Sequence, residues 1–229
     1  MTETTEERFS RNIGAVTPQE QKKLGESRVF IAGCGGTGGY IIEHLARIGV
    51  GEIICADDGR FETRDLNRQI LADIYTLGRE KSECARERAA RVRPEANINA
   101  LNAHICESNI KDMISGCDLA VDALDNIKTR RILFDACRQN LIPLIHAAVR
   151  GWLIQAAFVP PGGALYDLLY PEYLENASEK FIDGVMSFAP GMAASLQAAL
   201  AVRWLCGRGC DADLHIYNMQ TMDYSRIKL

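Results

Sequence analysis

The feature that most constrains the fold is a run of five glycines in seven residues, Gly33-Cys34-Gly35-Gly36-Thr37-Gly38-Gly39. An apolar, β-branched segment, Arg28–Ala32, precedes the run, and apolar residues at helical spacing follow it over residues 40–48. A second apolar segment then spans Glu52–Ala56. This order of strand, glycine turn, helix and strand predicts a βαβ unit with two parallel strands.

Strand and helix signals continue to alternate along the chain. Further strands are predicted at residues 98–101, 119–121, 142–149, 152–159, 214–217 and 224–229. Helices are predicted at 17–24, 81–92, 129–139 and 190–206. We therefore expect a doubly wound α/β fold with a mostly parallel, Rossmann-like sheet. A crossover loop over residues 160–187 and antiparallel C-terminal strands complete this prediction.

The composition is that of an ordinary globular protein, with 47% apolar and 24% charged residues among 229. Because the net charge is −4, no basic excess is available to bind a nucleic-acid backbone. The most apolar segment, Pro190–Cys206, is too short for a membrane span and contains Gln197 and Arg203. The eight cysteines form no CxxC pair, and the N-terminus is acidic, so we expect a reducing, cytoplasmic location.

The glycine run has the chemistry of a phosphate-binding loop. Without side chains at Gly33, Gly35, Gly36 and Gly38, a polyphosphate can approach the backbone N–H groups and the positive end of the following helix. Asp57 follows Gly36 by 21 residues and ends the second strand, where a carboxylate accepts hydrogen bonds from ribose hydroxyls. These residues predict a nucleotide site and leave open whether a dinucleotide or a triphosphate binds there.

Charged residues near this loop favour a triphosphate, which needs cations and a metal to balance its charge. The candidate cations after the second strand are Arg64, Arg68, Arg79 and Lys81. Asp125 and Asn126 follow the fourth strand, at the carboxyl edge where such sheets bind ligands. We expect Asp125 to hold a divalent metal.

Several motifs together carry a resemblance to a known family. They are Arg8–Asn12, the glycine run, Asp65-Leu66-Asn67-Arg68-Gln69, Lys81, Asp125-Asn126, Phe188–Gly191, Ser195–Ala198 and the closing segment 223–229. In order and spacing the chain resembles the ThiF/MoeB/HesA family, bacterial relatives of the ubiquitin-activating enzymes. The resemblance extends over nearly the whole chain.

The resemblance implies an adenylation reaction that uses ATP and Mg²⁺. The C-terminal carboxylate of a partner attacks the α-phosphate, and an acyl-adenylate and pyrophosphate form. The implied partner is a small ubiquitin-like β-grasp carrier ending in Gly-Gly, of the ThiS/MoaD sulfur-carrier type. A homodimer is also implied. The chain would form one domain over residues 1–229, with a nucleotide-binding half at 1–159 and a crossover and carrier-binding half at 160–229.

The resemblance also implies roles for individual residues. Arg68 and Lys81 would bind phosphates, Asp57 the ribose and Asp125 the Mg²⁺. Arg11 matches an arginine that reaches across the dimer into the neighbouring site. The remaining positions implied in nucleotide binding are Gly33, Gly35, Gly36, Gly38, Arg64, Asp65, Asn67 and Asn126.

Four departures from the family pattern stand out. Gly59 replaces a common second aspartate, and Asp65 replaces a common asparagine. The added carboxylate near the phosphates is unfavourable unless a metal or Arg64 neutralises it. Leu165 and Leu168 stand where many members carry their first zinc-binding CxxC pair, so no zinc site is expected. With no cysteine between Cys137 and Cys206, we expect the reaction to stop at the adenylate.

Three other functions remain open on the sequence. The chain could adenylate a small-molecule carboxylate, or serve as a nucleotide-binding partner subunit without catalysis. A nicotinamide-dependent oxidoreductase would explain the glycine run and Asp57 but leaves Arg68, Lys81 and Asp125 without a role.

The segment Tyr166–Met186 is expected to form a lid over the tail of the carrier.

Overall fold

The computed structural model describes residues 5–171 and 184–228, and over these residues it contains one eight-stranded sheet with helices on both faces. The strands are β1 Arg28–Ala32, β2 Glu52–Ala56, β3 Asn97–Leu101, β4 Leu119–Asp122, β5 Leu144–Arg150, β6 Leu153–Val159, β7 Leu214–Asn218 and β8 Asp223–Ile227. The helices are α1 Thr5–Arg8, α2 Pro18–Glu26, α3 Gly36–Ile48, α4 Lys81–Val92, α5 Ile110–Met113, α6 Ile127–Gln139, α7 Leu165–Leu169 and α8 Phe188–Leu205. Short 3₁₀ turns cover Ser10–Asn12 and Thr63–Asp65.

The sheet order is β3-β2-β1-β4-β5-β6-β7-β8. Strands β3, β2, β1, β4 and β5 are parallel, whereas β6, β7 and β8 join as antiparallel neighbours. The order along the chain reverses between β1 and β4, which leaves a crevice at the carboxyl ends of these two strands. The predicted doubly wound fold with an antiparallel C-terminal part is confirmed.

Two apolar layers bury the two faces of the sheet. Alternation along β1 shows the division, because Val29 and Ile31 belong to the layer under α2, α3, α4 and α8. Phe30 and Ala32 face the opposite layer, which α5, α6 and α7 cover. Since both faces are covered, residues 29–32, 53–56 and 119–121 of the central strands are apolar and carry no polar alternation.

Local sequence signals fix the ends of several helices. Thr17 and Glu20 form a capping box at the start of α2, in which each side chain accepts the other residue's backbone N–H, at 3.2 and 2.7 Å. Gly49 is the left-handed cap of α3, with φ of 99°. Gly51 permits close packing, since a Cβ there would lie 2.1 Å from the Gly25 carbonyl oxygen.

The segment between β6 and α8 differs from the prediction of a plain crossover loop. It contains α7, and the ring of Tyr166 is fully buried against Phe134, with ring centroids 4.6 Å apart. Tyr166 is therefore part of the core and not of a lid. The rest of the predicted lid falls largely on residues 172–183, which lie outside the described residues, as does Leu229 at the end of the last predicted strand. None of the described helices is both long and apolar enough to cross a membrane.

Candidate active site

A cavity of about 640 Å³ opens at the carboxyl ends of the parallel strands, where the strand order reverses. This volume lies in the range of small-molecule and cofactor sites. The sequence-predicted residues that the structure brings together in its lining are Gly33, Gly35, Gly36, Asp57, Arg68, Lys81, Asp125 and Asn126. We refer to this cavity as the cleft.

The glycine loop forms the floor of the cleft, and its glycines have different tasks. Gly33 has φ of 95°, and a Cβ there would lie 2.8 Å from the Ala123 carbonyl oxygen. A Cβ at Gly38 would lie 1.9 Å from the Gly33 carbonyl oxygen, so Gly38 allows α3 to pack onto the loop and does not itself line the cleft. Gly35 and Gly36 do line the cleft, and Gly35 caps α3 without a side-chain acceptor. The first backbone N–H groups of α3 are thus suited to an anionic ligand.

Asp57, which follows β2, holds this loop in place through hydrogen bonds to its carboxylate. Its two carboxylate oxygens accept hydrogen bonds from the backbone N–H groups of Cys34 and Gly59, each at 2.7 Å. A carboxylate oxygen has a second lone pair, so both oxygens can still accept bonds from a ligand hydroxyl in the cleft. The structure also shows why Gly59 is small, since a Cβ there would lie 2.9 Å from Asp57 Oδ1.

Two cations, Arg68 and Lys81, face the cleft and share one buried carboxylate. Lys81 Nζ lies 3.7 Å from Asp65 Oδ2, and Arg68 Nη2 lies 3.6 Å from Asp65 Oδ1. Asp65 itself does not line the cleft, because its side chain turns inward to accept the backbone N–H of Glu62 at 3.0 Å. Of the two neutralising partners considered from the sequence, a metal or Arg64, Arg64 pairs instead with Glu62, and the cations that pair with Asp65 are Arg68 and Lys81.

Asp125 and Asn126 lie in the loop between β4 and α6. Asn126 caps α6, because its side-chain oxygen accepts the Thr129 N–H at 2.8 Å. Asp125 lines the cleft with an exposed carboxylate, and within the described ranges it forms no ion pair or hydrogen bond. Mg²⁺ is usually bound by one or two carboxylates together with water and phosphate oxygens, so this single carboxylate fits such an ion when phosphates are present.

Four other predicted residues lie away from the lining of the cleft. Arg64 is exposed and pairs with Glu62 at 2.9 Å, and Arg79 pairs with Glu87 on α4. Asn67 accepts a hydrogen bond from Arg68 at 2.9 Å and donates one to the carbonyl oxygen of Val185. Arg11 is exposed on the 3₁₀ turn near the N-terminus. Each of these residues therefore needs an indirect role, or a second chain, to act on a nucleotide.

Sequence reasoning missed a buried polar network behind the cleft. Asp122 Oδ2 accepts hydrogen bonds from Arg130 Nη1 at 2.9 Å, from His146 Nδ1 at 2.8 Å and from the Tyr166 hydroxyl. Arg130 also donates to the Leu124 carbonyl oxygen and, at 3.3 Å, to the Tyr170 hydroxyl. Since Arg130 and Tyr170 line the cleft, the network joins the loop of Asp125 to the segment after α7.

Burial and pairing set the charges of this network. Burial alone would raise the pKa of Asp122, but the Arg130 charge and the hydrogen bonds from His146 and Tyr166 hold it below its usual value. Burial lowers the pKa of His146, which is therefore neutral and donates from Nδ1. Burial raises the pKa of the Tyr166 hydroxyl well above its usual range. The network thus contains one ion pair surrounded by neutral donors.

Comparison with known proteins finds sequence relatives from one family and solved structures with the same fold. The model of the ThiF family matches residues 9–229. The SAMP-activating enzyme E1 of Haloferax volcanii is 34% identical over 227 residues, which is 96% of this chain and 84% of that protein. The sulfur carrier protein ThiS adenylyltransferase of Escherichia coli is 31% identical over 204 residues, covering 87% and 81% of the two chains. The crystal structure of E. coli MccB with ATP shares the fold, with a TM-score of 0.85, 20% identity and coverage of 96% of this chain and 71% of that one.

Proposed function

Since the chain belongs to the ThiF family and is an adenylyltransferase, we propose that it activates the C-terminal carboxylate of a ubiquitin-like sulfur-carrier protein with ATP. The products are an acyl-adenylate and pyrophosphate. Residues 1–159 would bind the nucleotide, and residues 160–229 would form the crossover and the carrier-binding half. The proposed partner is a β-grasp protein that ends in Gly-Gly.

The observation that carries the proposal is the convergence of three phosphate-directed features on one cleft. The glycine loop presents the start of α3, Arg68 and Lys81 supply positive charge, and Asp125 supplies a carboxylate that forms no ion pair or hydrogen bond within the described residues. A nicotinamide dinucleotide would use the loop and Asp57 alone. A triphosphate uses all of these groups, because its larger negative charge needs cations and a metal.

The chemistry needs charge compensation more than proton transfer. A C-terminal carboxyl has a pKa of about 3.3–3.7, so it is ionised at neutral pH and needs no general base. Its oxygen attacks the α-phosphorus, a new P–O bond forms, and the bond to the leaving pyrophosphate breaks. Arg68 and Lys81 offset the repulsion between the two anions and stabilise the charge that grows on pyrophosphate. Mg²⁺ at Asp125 would neutralise further phosphate charge when bound.

The test is ATP–pyrophosphate exchange with a panel of β-grasp carriers. We expect one carrier ending in Gly-Gly to support exchange and to acquire a mass increment of AMP. The matched control is the same carrier without its final glycine, which moves the carboxylate away from the α-phosphate and abolishes exchange. Exchange supported by small carboxylates and by no carrier would assign a small-molecule adenylyltransferase instead.

Two further outcomes would contradict the proposal. ATP binding without exchange on any carboxylate would indicate a partner subunit without catalysis. Tight binding of NADH together with no binding of ATP would favour the oxidoreductase. Calorimetric titration measures the binding of ATP and NADH, and the exchange assay is run on the same protein preparation.

A further inference from the structure

Asp65 is a buried carboxylate that lies directly behind the two cations of the cleft. It ends the 3₁₀ turn Thr63–Asp65, and its side chain closes this turn by accepting the Glu62 N–H at 3.0 Å. Its other oxygen accepts a hydrogen bond from Gln69 Nε2 at 2.7 Å. The two contacts use different carboxylate oxygens, whereas an amide offers one oxygen and one NH₂ group. An asparagine would keep the Glu62 contact through its oxygen and donate from its NH₂ group to Gln69 Oε1, which has no hydrogen-bond partner among the described residues, once the Gln69 amide turns over. The local fold therefore does not explain the negative charge.

The charge of Asp65 acts on Arg68 and Lys81. Asp65 lies 3.6 Å from Arg68 Nη2 and 3.7 Å from Lys81 Nζ, and these two cations line the cleft. One negative charge thus offsets part of the attraction that two positive charges would exert on a phosphate. The Lys81 side chain is only 16% exposed, so solvent only weakly screens the electrostatic interaction between Lys81 and Asp65.

Other contacts hold the two cations in place. Arg68 Nη1 donates to the Arg64 carbonyl oxygen at 2.8 Å and to Asn67 Oδ1 at 2.9 Å. Lys81 is fixed at the start of α4, and its ammonium group lies 5.7 Å from the centroid of the Phe61 ring. Removing the charge of Asp65 while keeping its oxygen would therefore leave both cations directed as they are.

We infer that Asp65 weakens the hold of Arg68 and Lys81 on pyrophosphate, so that this product leaves after the adenylate has formed. The inference rests on the proposed function, because it takes the two cations to bind the phosphates of ATP. Pyrophosphate carries its full charge on the two groups that these cations would contact. A site with two uncompensated cations would bind it tightly and be inhibited by its own product.

The test compares Asp65→Asn with Asp73→Asn. The first variant keeps the Glu62 hydrogen bond through its amide oxygen, pairs its NH₂ group with the turned-over Gln69 amide, and loses one negative charge behind the cations. The control loses one charge from the same stretch of chain, away from the cleft, where Asp73 accepts the backbone N–H groups of Tyr75 and Thr76 at 2.7 and 2.9 Å. An asparagine can keep these turn bonds too.

The measurements are the Kd of magnesium pyrophosphate and of magnesium ATP by calorimetry, and inhibition of the forward reaction by pyrophosphate. For Asp65→Asn we expect pyrophosphate to bind about tenfold more tightly and to inhibit at correspondingly lower concentration. For Asp73→Asn we expect the Kd of magnesium pyrophosphate and the Kd of magnesium ATP to stay within about twofold of the wild type, because salt screens distant charges. Far-ultraviolet circular dichroism confirms folding, and Asp65→Ser, which also keeps an acceptor oxygen, replaces the asparagine variant if that variant does not fold.

Unchanged or weaker pyrophosphate binding in Asp65→Asn would overturn the inference and assign Asp65 to orienting the cations. An equal gain in Asp73→Asn would also overturn it, since net charge alone would then explain the effect. A wild-type protein that binds neither ATP nor pyrophosphate would contradict the proposed function itself. The two failures are therefore distinguishable.

Discussion

Asp125 is the residue on which the proposed reaction depends most directly. Its carboxylate is exposed in the cleft and forms no ion pair or hydrogen bond within the described residues, so the fold should not need it. We predict that Asp125→Ala lowers ATP–pyrophosphate exchange at least about 100-fold, because the variant loses the carboxylate that would hold the metal and with it the positive charge that the metal would supply to the phosphates. The free energy of unfolding should stay within about 0.5 kcal/mol of the wild type.

The matched control for this prediction is Asp112→Ala, which removes an exposed carboxylate from α5, outside the cleft. Exchange and urea unfolding are measured on both variants. Normal exchange in Asp125→Ala would remove this residue from the mechanism. A loss of exchange in both variants would show that the assay responds to net charge.

We predict that His146 makes the stability of the protein depend on pH. Burial lowers its pKa in the folded state, whereas in the unfolded chain it has the ordinary value near 6.5. As the pH falls below about 6.5, the unfolded state takes up a proton that the folded state does not. Stability should therefore decrease toward acid, with a slope of up to about 1.4 kcal/mol per pH unit from this group.

The measurement is urea unfolding between pH 5 and 7.5 for the wild type and His146→Gln. Burial also lowers the pKa of His44 and His215, so both proteins lose stability toward acid. The comparison isolates His146, and we expect the variant to show the smaller slope. Parallel curves for the two proteins would refute the assignment.

The sequence predicted which side chains reach the cleft best where a side chain follows a strand. Asp57, Lys81 and Asp125 were placed by their positions after or between strands, and the structure brings all three to the cleft. The inward turn of Asp65 was missed, because nothing in its spacing tells a capping carboxylate from a ligand-binding one. The pairing of Asp122 with Tyr166 was missed because it joins residues 44 positions apart.

At the scale of elements, the glycine loop and α3 form one unit, and substitutions can distinguish the packing role of one glycine from the ligand-binding role of another. We predict that Gly38→Ala destabilises the protein by about 1–3 kcal/mol, because its Cβ would meet the Gly33 carbonyl oxygen at 1.9 Å and force α3 off the loop. A Cβ at Gly36 would meet only Pro190, at an ordinary 3.6 Å. Gly36→Ala should therefore keep its stability and weaken ATP binding.

Urea unfolding and calorimetric ATP titration on the two variants check this prediction. The pattern expected is a large loss of stability in Gly38→Ala, and a loss of affinity without loss of stability in Gly36→Ala. Equal stability losses would contradict the division of roles within the loop. Unchanged ATP affinity in Gly36→Ala would mean that the nucleotide does not approach this part of the loop.

Element prediction was most accurate where local signals were strongest. β1, β2 and α4 have the predicted bounds, because apolar runs and the Pro94 stop define them locally. α7 was missed, since it spans only Leu165–Leu169 and is stabilised by tertiary burial of Tyr166. The antiparallel pairing of β5 with β6 follows from the short turn that joins them, in which Gly151 has φ of 58°.

At the scale of the whole molecule, the position of Arg11 raises the question of a second chain. Arg11 is exposed near the N-terminus and does not line the cleft of its own chain. The family resemblance implies that it acts in the neighbouring cleft of a dimer. If so, every cleft combines Asp125 of one chain with Arg11 of the other, and inactive variants can complement each other.

We predict that Arg11→Ala and Asp125→Ala are each inactive in exchange but recover activity when coexpressed. In a mixed dimer, the cleft of the Arg11→Ala chain keeps its own Asp125 and receives the intact Arg11 of its partner. Random pairing makes half of the dimers mixed with one intact cleft each, so activity should reach about a quarter of the wild type. If Arg11 acted within its own chain, no intact cleft would form and activity would stay absent. Coexpression of Asp125→Ala with Lys81→Met is the control, because both residues line the cleft of one chain and mixing cannot rebuild it.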